Sequence, residues 1–402
     1  MPDIFKRLDL RHVINVSGTE TPLGGAPVCP EVFEAASELA RHSVYMSELQ
    51  AAACDVISRA TGSEAGCVTG CTAASIAISV AATMTGPDLA LVERLPDTTG
   101  LKDEVIMQRG HEVTYGHIVS QNVRVAGAHV IEIGAATQCS AYQLRGAITP
   151  QTTAALYVIS HLTVQERLID LRTFCEICHA AGVPVIVDAA SQPDPRPYLA
   201  AGGDLVLLSG QKSFEGFTAG IVAGRLDLVQ SCMYQMHGIG RPMKVGKEGV
   251  ISAIVTLERW MNRDAAAHNS RVAERTERVR ERLDKIPSLA ARIVGKQVIV
   301  AVDPSEAGLT AHQVSVALSQ QSPSIATWNQ FAEIGELWLT FRLVDDKTAE
   351  HVCERFEAVL SDPAQYSSIA PAPPNFGDNV LDQLSKWPEL DSSTVVTAAS
   401  GG

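Results

Sequence analysis

The sequence contains no run of about 18 or more apolar residues, so no segment is long enough to cross a bilayer as a helix. Its opening stretch, MPDIFKRLDLRHVINVSG, mixes charge with apolar groups and lacks the continuous apolar centre of a secretory signal. A cytoplasmic protein with no membrane partner is the expectation. A basic surplus is also missing: 32 Lys and Arg face 45 Asp and Glu, giving a formal net charge of -13. Such a chain has no broad electrostatic grip on phosphate backbones, which argues against nucleic acid as a partner. Nine cysteines form an odd, scattered set and make no disulfide framework. One pair, Cys175-Glu176-Ile177-Cys178-His179, matches the C-x-x-C-H pattern of covalent haem attachment. Its surroundings, LIDLRTFCEICHAAGVPVIVD, instead predict an amphipathic helix stopped by Gly182 and followed by a strand, with both cysteines on the buried face. No internal repeat at solenoid periods is present.

What is present is alternation. From about residue 50 to 230, helical patterns alternate with short apolar runs, which is the pattern of βα units stacked around a mostly parallel sheet. The runs EVIMQ, HVIEIG, ALYVISH, VPVIVDA, DLVLLSG and GIVAG are the strand candidates, and GCVTGCTAA is read as a turn opening a helix. Gly and Pro punctuate nearly every transition. Beyond residue 250, KEGVISAIVTLERWMNRDAAAHNSRVAERTERVRERLDKIP predicts one long connecting helix with a solvated later part. The remaining apolar runs predict a small α+β domain. The expected organisation is α/β: an N-terminal segment over 1–20 packing on the small domain, a large domain over 21–258, the small domain over 259–365, and a Pro/Ser/Gly-rich tail over 366–402.

Two of the apolar runs end in polar signatures: VPVIVDAA stops at Asp188, and DLVLLSGQK delivers Lys212. In an open parallel sheet, ligands sit in the crevice at the carboxyl ends of the strands. A carboxylate and an amine placed there are what pyridoxal phosphate needs: the lysine forms a Schiff base with its aldehyde, and the aspartate keeps the pyridine nitrogen protonated. The spacing alone fits a structural ion pair or a helix-capping aspartate equally well.

Longer stretches carry a resemblance. VINVSGTETPLGG, ATGSEAGCVTGCTAASIAISVAATMTG, ITPQTTAALYVISH, VIVDAASQ, DLVLLSGQKSFEGFTAGIVAG and GIGRPMKVGKEGVISAIVTLERW follow one another between about residues 13 and 260. In that order they resemble the selenocysteine-synthase-like branch of the fold-type I pyridoxal phosphate enzymes. Within the branch they are similar to the D-glucosaminate-6-phosphate ammonia-lyase group, also described as class V aminotransferase-like. The resemblance implies a seven-stranded large-domain sheet, pyridoxal 5'-phosphate as cofactor, and a homodimer or higher oligomer with shared active sites. It also implies a small-molecule amino-acid substrate.

Position by position, the resemblance makes Lys212 the Schiff-base lysine and Asp188 the pyridine partner. Gly70, Cys71 and Thr72 open a helix whose backbone N–H groups can hold the cofactor phosphate, and Ser209 matches a phosphate-contacting hydroxyl. For Thr72 and Ser209, helix capping or a turn hydrogen bond is the competing role. His111 falls where a group covers the cofactor ring, and His161 ends a strand where a residue faces the ring hydroxyl edge. Either is able to work as an acid or base near neutral pH, and either fits a structural role. His117, Tyr115 and Tyr45 are weaker candidates, Tyr45 toward the substrate. Arg241, Lys244 and Lys247 form a cationic loop that in similar enzymes crosses to the neighbouring subunit's site, against a solvated basic turn as the alternative. Arg342 matches a substrate-carboxylate clamp, or else an exposed strand arginine. The chain departs from the family after the lysine, where Ser213-Phe214-Glu215-Gly216-Phe217-Thr218 replaces Gly-rich sequence and is expected to reshape the substrate pocket.

The implied activity is chemistry at the amino-acid Cα. Loss of a β-substituent in an ammonia-lyase reaction is favoured, and racemisation or transamination is possible on the same scaffold. A tRNA-dependent selenium transferase needs a basic surface that this acidic chain lacks. A non-catalytic scaffold needs neither Lys212 nor Asp188.

Overall fold

The computed structural model describes residues 3–160, 162–163, 166–370 and 384–385. The chain divides into a larger unit, Gly25–Asn262, and a smaller unit formed by the described residues of Met1–Gly24 and Arg263–Ser400. Strand β1 (Val13–Asn15) belongs to the smaller unit. The larger unit holds β2 (Ala65–Thr69), β3 (Glu104–Gln108), β4 (His129–Ile133), β5 (Thr152–Val158), β6 (Val185–Asp188), β7 (Leu205–Ser209) and β8 (Gly220–Gly224).

These seven strands form one sheet in the order β2-β8-β7-β6-β5-β3-β4. All run parallel except β8, which is antiparallel to both β7 and β2. The expected mostly parallel α/β sheet is therefore present. Its strands read as continuous apolar runs because both faces are covered by helices. Alternate residues feed two cores: Ile106, Tyr157, Val187 and Leu208 enter one, while Met107, Leu156, Ile186 and Leu207 enter the other. Each fully buried Leu, Ile or Val contributes about 1.5–3 kcal/mol, which holds the strand ends in fixed register.

Two elements differ from the sequence reading. The stretch read as a turn contains β2, whose five residues are all buried. Small side chains hide it: at Gly66 an added Cβ would collide with Ile57, so the strand lies too close to the helix Met46–Thr61 to carry bulk there. The expected long connecting helix is two helices, Lys247–Asn262 and Ala265–Leu283. Asp264 ends the continuity by accepting the Ala267 N–H at 2.9 Å, capping the second helix. The helix Leu171–Ala180 is as expected, with Cys175 and Cys178 buried in the core and His179 paired to Asp204 at 2.8 Å.

In the smaller unit, β9 (Leu289–Val294), β10 (Gln297–Val302) and β12 (Glu336–Leu339) form an antiparallel sheet, and β1 pairs in parallel with β11 (Ser324–Ala326). Val300, Phe341 and Phe356 are at the centre of its core. Of the stretch read as a tail, Tyr366 is buried at the end of a 3-10 turn, and most of the remainder lies outside the described residues. Among the described residues, no helix is long and apolar enough to cross a membrane.

Candidate active site

The sheet register lines up two rows at the carboxyl edge. Val158 of β5 is level with Asp188 of β6 and Leu207 of β7; Ser209 of β7 is level with Gly220 of β8 and Thr69 of β2. Asp188 is the last residue of its strand, and Lys212 follows three residues after the end of β7, half-buried. Asp188 is only 7% exposed. Burial raises its pKa, while the Ala190 N–H, donated at 3.1 Å, and the charge of Lys212 lower it. The two residues that end separate apolar runs in the sequence therefore face one electrostatic environment.

The turn bearing Lys212 is braced on several sides. Gly210 N–H donates to Ala219 O at 2.8 Å, and Gly216 N–H donates to Gly210 O at 2.8 Å. Ser213 Oγ donates to Ser191 O at 2.8 Å, tying the turn to the segment that follows Asp188. The backbone of Ala26 donates to Gln211 O and that of Cys29 to Glu215 O. The side chains that follow the lysine are engaged within the larger unit. Phe214 is buried against Trp260 with ring centroids 6.2 Å apart, Phe217 meets Phe33 edge-on at 5.3 Å, and Glu215 pairs with Arg259 at 2.9 Å. Glu215 also has a φ of 59°, the left-handed conformation that reverses the chain there. These side chains tie the turn to the helices Pro30–Ala40 and Lys247–Asn262.

On the adjoining edge, the helix Thr72–Thr85 begins directly after β2. Cys71 Sγ accepts the Ala74 N–H at 3.4 Å and Cys71 O accepts that of Ser75 at 2.9 Å. The N–H groups of Thr72 and Ala73 have no acceptor among the described residues. Two open donors at the positive end of a 14-residue helix suit an anion. A cavity of about 300 Å³ lies beside them, lined by Gly70, Cys71, Ala73, Asn122, Met243 and Lys244 among others. Gly70 admits no side chain, since a Cβ would be 2.7 Å from Met243 O. Thr72 Oγ1 is committed to Leu208 O at 3.0 Å, the structural role, whereas the buried Ser209 hydroxyl has no hydrogen bond among the described residues. An anion cradle, a buried carboxylate and a neighbouring amine are together a set of groups that fits pyridoxal phosphate.

The other candidates are distributed less simply. His111 is fully buried at the end of β3; its Nδ1 accepts the Val158 N–H at 3.3 Å and its ring meets Tyr157 edge-on at 4.4 Å. Because Nδ1 is an acceptor there, the neutral ring carries its proton on Nε2. Tyr115, four residues on, lies in a short hairpin closed by a bridge between Thr114 and Ile118; its hydroxyl accepts an Asn122 amide proton, and burial, then the charge of Asp188, raises its pKa. His161 lies outside the described residues. Tyr45 is 75% exposed, just before the helix Met46–Thr61. Lys247 Nζ donates to Ala40 O at 3.0 Å and His42 O at 2.5 Å, completing the carboxyl end of the helix Pro30–Ala40. Arg241 and Lys244 are exposed and make no ion pair among the described residues. Arg342 belongs to the smaller unit, half-buried beyond β12.

Comparison with known proteins places these features in context. The family model for L-seryl-tRNA selenium transferase matches residues 13–349. The chain is 36% identical over 324 residues to a D-glucosaminate-6-phosphate ammonia lyase from Salmonella typhimurium, covering 79% of this chain and 87% of that protein. It is 35% identical over 370 residues to a 5'-C-glycyluridine monooxygenase-decarboxylase from a Streptomyces species, covering 89% and 92%. A solved D-glucosaminate-6-phosphate ammonia-lyase superposes with a TM-score of 0.82 at 33% identity, over 90% of this chain and 100% of that one.

Proposed function

Because the chain belongs to the L-seryl-tRNA selenium transferase family, a branch of the fold-type I pyridoxal phosphate enzymes, we propose that it is a lyase releasing ammonia from a β-substituted or hydroxylated amino acid. The observation that carries the reading is the placement of Asp188 and Lys212 at one sheet edge beside an open helix N-terminus. The ammonia-lyase relatives give the reaction type.

Pyridoxal phosphate, when bound, supplies an electron sink for the pair left at Cα. The chain's own groups do the rest. The Lys212 amine would hold the cofactor aldehyde and would serve as the base for the Cα proton. Asp188 would pair with the protonated ring nitrogen, whose positive charge would offset the burial that raises the pKa of this carboxyl. The Thr72 and Ala73 N–H groups and Lys244 fix the phosphate end, so the reacting carbon is presented to Lys212. Departure of the β-substituent from Cβ, with uptake of the electron pair from Cα, yields an enamine that hydrolyses to ammonia and a 2-oxo acid. Arg241 and Lys244 make no ion pair among the described residues and are suited to an acidic group on the substrate or to a site shared with a second subunit of a homodimer.

A second reading has its own support. The monooxygenase-decarboxylase relative matches a larger share of the chain at nearly the same identity, and it favours oxidative loss of the carboxylate from a glycyl-type amino acid. One experiment separates the two. Purified protein loaded with pyridoxal phosphate is incubated with a panel of hydroxylated and glycyl-type amino acids, without a keto-acid acceptor, while ammonia, 2-oxo acid, carbon dioxide and dissolved oxygen are followed. Ammonia with 2-oxo acid and no oxygen uptake is the expected result. Oxygen-dependent carbon dioxide release overturns it in favour of the second reading. Racemisation or amino-group exchange overturns both.

A further inference from the structure

Just past the ends of β6 and β7 the chain is irregular, and the segments that leave Asp188 and Lys212 are tied to each other rung by rung. Ala189 N–H donates to Leu207 O at 2.9 Å and Ser209 N–H to Ala190 O at 3.2 Å, which carries the strand pairing past Asp188. The next rung is a side chain: Ser213 Oγ donates to Ser191 O at 2.8 Å. A fourth comes from the helix Lys247–Asn262, where Trp260 Nε1 donates to Pro193 O at 2.8 Å. The same indole packs against Phe214 of the lysine turn at 6.2 Å between centroids and has the Arg196 guanidinium 4.9 Å over its ring. It therefore touches both segments. The backbone bonds of Lys212 itself are long, 3.4 Å from its N–H to Ser209 O and 3.4 Å from Glu215 N–H to its carbonyl, beyond the usual range of about 2.7–3.2 Å. The short bonds that hold this turn against the aspartate segment belong to its neighbours.

We propose that Ser213 and Trp260 are positioning residues: they latch the lysine turn to the segment after Asp188 and so fix the Lys212 amine relative to the Asp188 carboxyl. Ser213 follows the lysine directly and Ser191 lies three residues past the aspartate, so slack in their bond passes to both functional side chains. A displacement of about 1 Å at a reacting group costs about a hundredfold in rate, which makes a single hydroxyl at this place more than a turn former. Trp260 limits the same slack from the far side, since its N–H and its ring engage one segment each.

The inference rests on Lys212 and Asp188 serving one bound pyridoxal phosphate, and part of its test needs no cofactor. Wild type, Ser213→Ala, Ser213→Thr and Trp260→Phe are compared without cofactor by hydrogen exchange and thermal melting, then with pyridoxal phosphate by Kd and visible circular dichroism. In Ser213→Ala, exchange is expected to quicken about threefold or more both in residues 210–216 and, across the lost bond, in residues 189–193. Tm falls by no more than about 6 °C. Cofactor Kd rises about fivefold or more, and the circular dichroism per bound cofactor changes in intensity. Ser213→Thr keeps the hydroxyl and stays within about twofold of wild type in exchange and Kd. Trp260→Phe keeps a ring against Phe214, loses the donor to Pro193 O, and moves the same readouts in the same direction. Faster exchange confined to residues 210–216 in Ser213→Ala overturns the inference alone, as do affinity and circular dichroism unchanged in both Ser213→Ala and Trp260→Phe. Wild-type protein that takes up no pyridoxal phosphate overturns it together with the functional reading.

Discussion

Gly220 is the position where a single methyl tests the anion cradle. It begins β8 level with Thr69 and Ser209. A Cβ there would meet the hydroxyls of Ser75 and Thr69 and would be 2.5 Å from the backbone oxygen of Cys71. The two hydroxyls are bonded to each other at 2.7 Å and buried, and the Cys71 carbonyl starts the helix Thr72–Thr85. Gly220→Ala must therefore break that bond, costing about 1 kcal/mol, and displace packed backbone, costing about 1–3 kcal/mol. A total of about 2–4 kcal/mol corresponds to a fall in Tm of about 4–16 °C for a unit of this size. The displaced group is the helix start itself, so cofactor Kd is expected to rise at least about tenfold, which takes about 1.4 kcal/mol of that strain. Gly146→Ala is the control, because it lies in the helix Ala141–Ala147 with nothing within 4 Å of its Cβ and is expected to be neutral or stabilising by up to about 1 kcal/mol. Melting curves and cofactor titration by visible absorbance provide both readouts. A Gly220→Ala protein that melts and binds like wild type would refute the cradle geometry.

Other consequences concern the same edge. Burial raises the Asp188 pKa in the protein without cofactor, so its contribution to stability is fully present below the unfolded value of about 3.9 and is lost as pH rises through the higher folded value. Asp188→Asn is accordingly expected to melt at or above wild type at pH 7 without cofactor, yet to lose about a hundredfold or more in turnover; a variant both less stable and fully active would contradict this. Lys212→Ala should abolish the visible absorbance of the bound cofactor while leaving far-ultraviolet circular dichroism unchanged. Lys244→Ala should weaken cofactor or substrate affinity in a salt-dependent way, whereas Lys247→Ala, removing a bond to a helix end, should lower Tm by a few degrees without changing affinity. Arg259→Ala, at a half-exposed ion pair, is expected to cost no more than about 1 kcal/mol and to leave KM within about twofold, as checked by urea unfolding and steady-state kinetics.

Most strands of the large sheet were legible because their apolar runs are continuous and bounded by Gly or Pro, a local signal that needs no knowledge of partners. The exception, β2, consists of small residues in close contact with a helix, and neither period nor bulk marks it. Asp188 was legible as the polar residue that ends one buried run, and Lys212 as the first cation beyond the end of another. The side chains after Lys212 were not, because their directions depend on the left-handed turn at Glu215 and on Arg259 and Trp260, more than forty residues away.

Local chemistry along the chain determined which segments are buried, where each stops, and which ionisable residues stand at those stops, since burial of apolar side chains is decided residue by residue. Only the tertiary structure decided that β8 reverses direction, that Lys247 is engaged by a helix end while Lys244 lines the cavity at the helix start, and that Asn122 reaches the Tyr115 hydroxyl. Those outcomes depend on hydrogen bonds and charges between residues distant in sequence, whose energies exist only after the chain has folded.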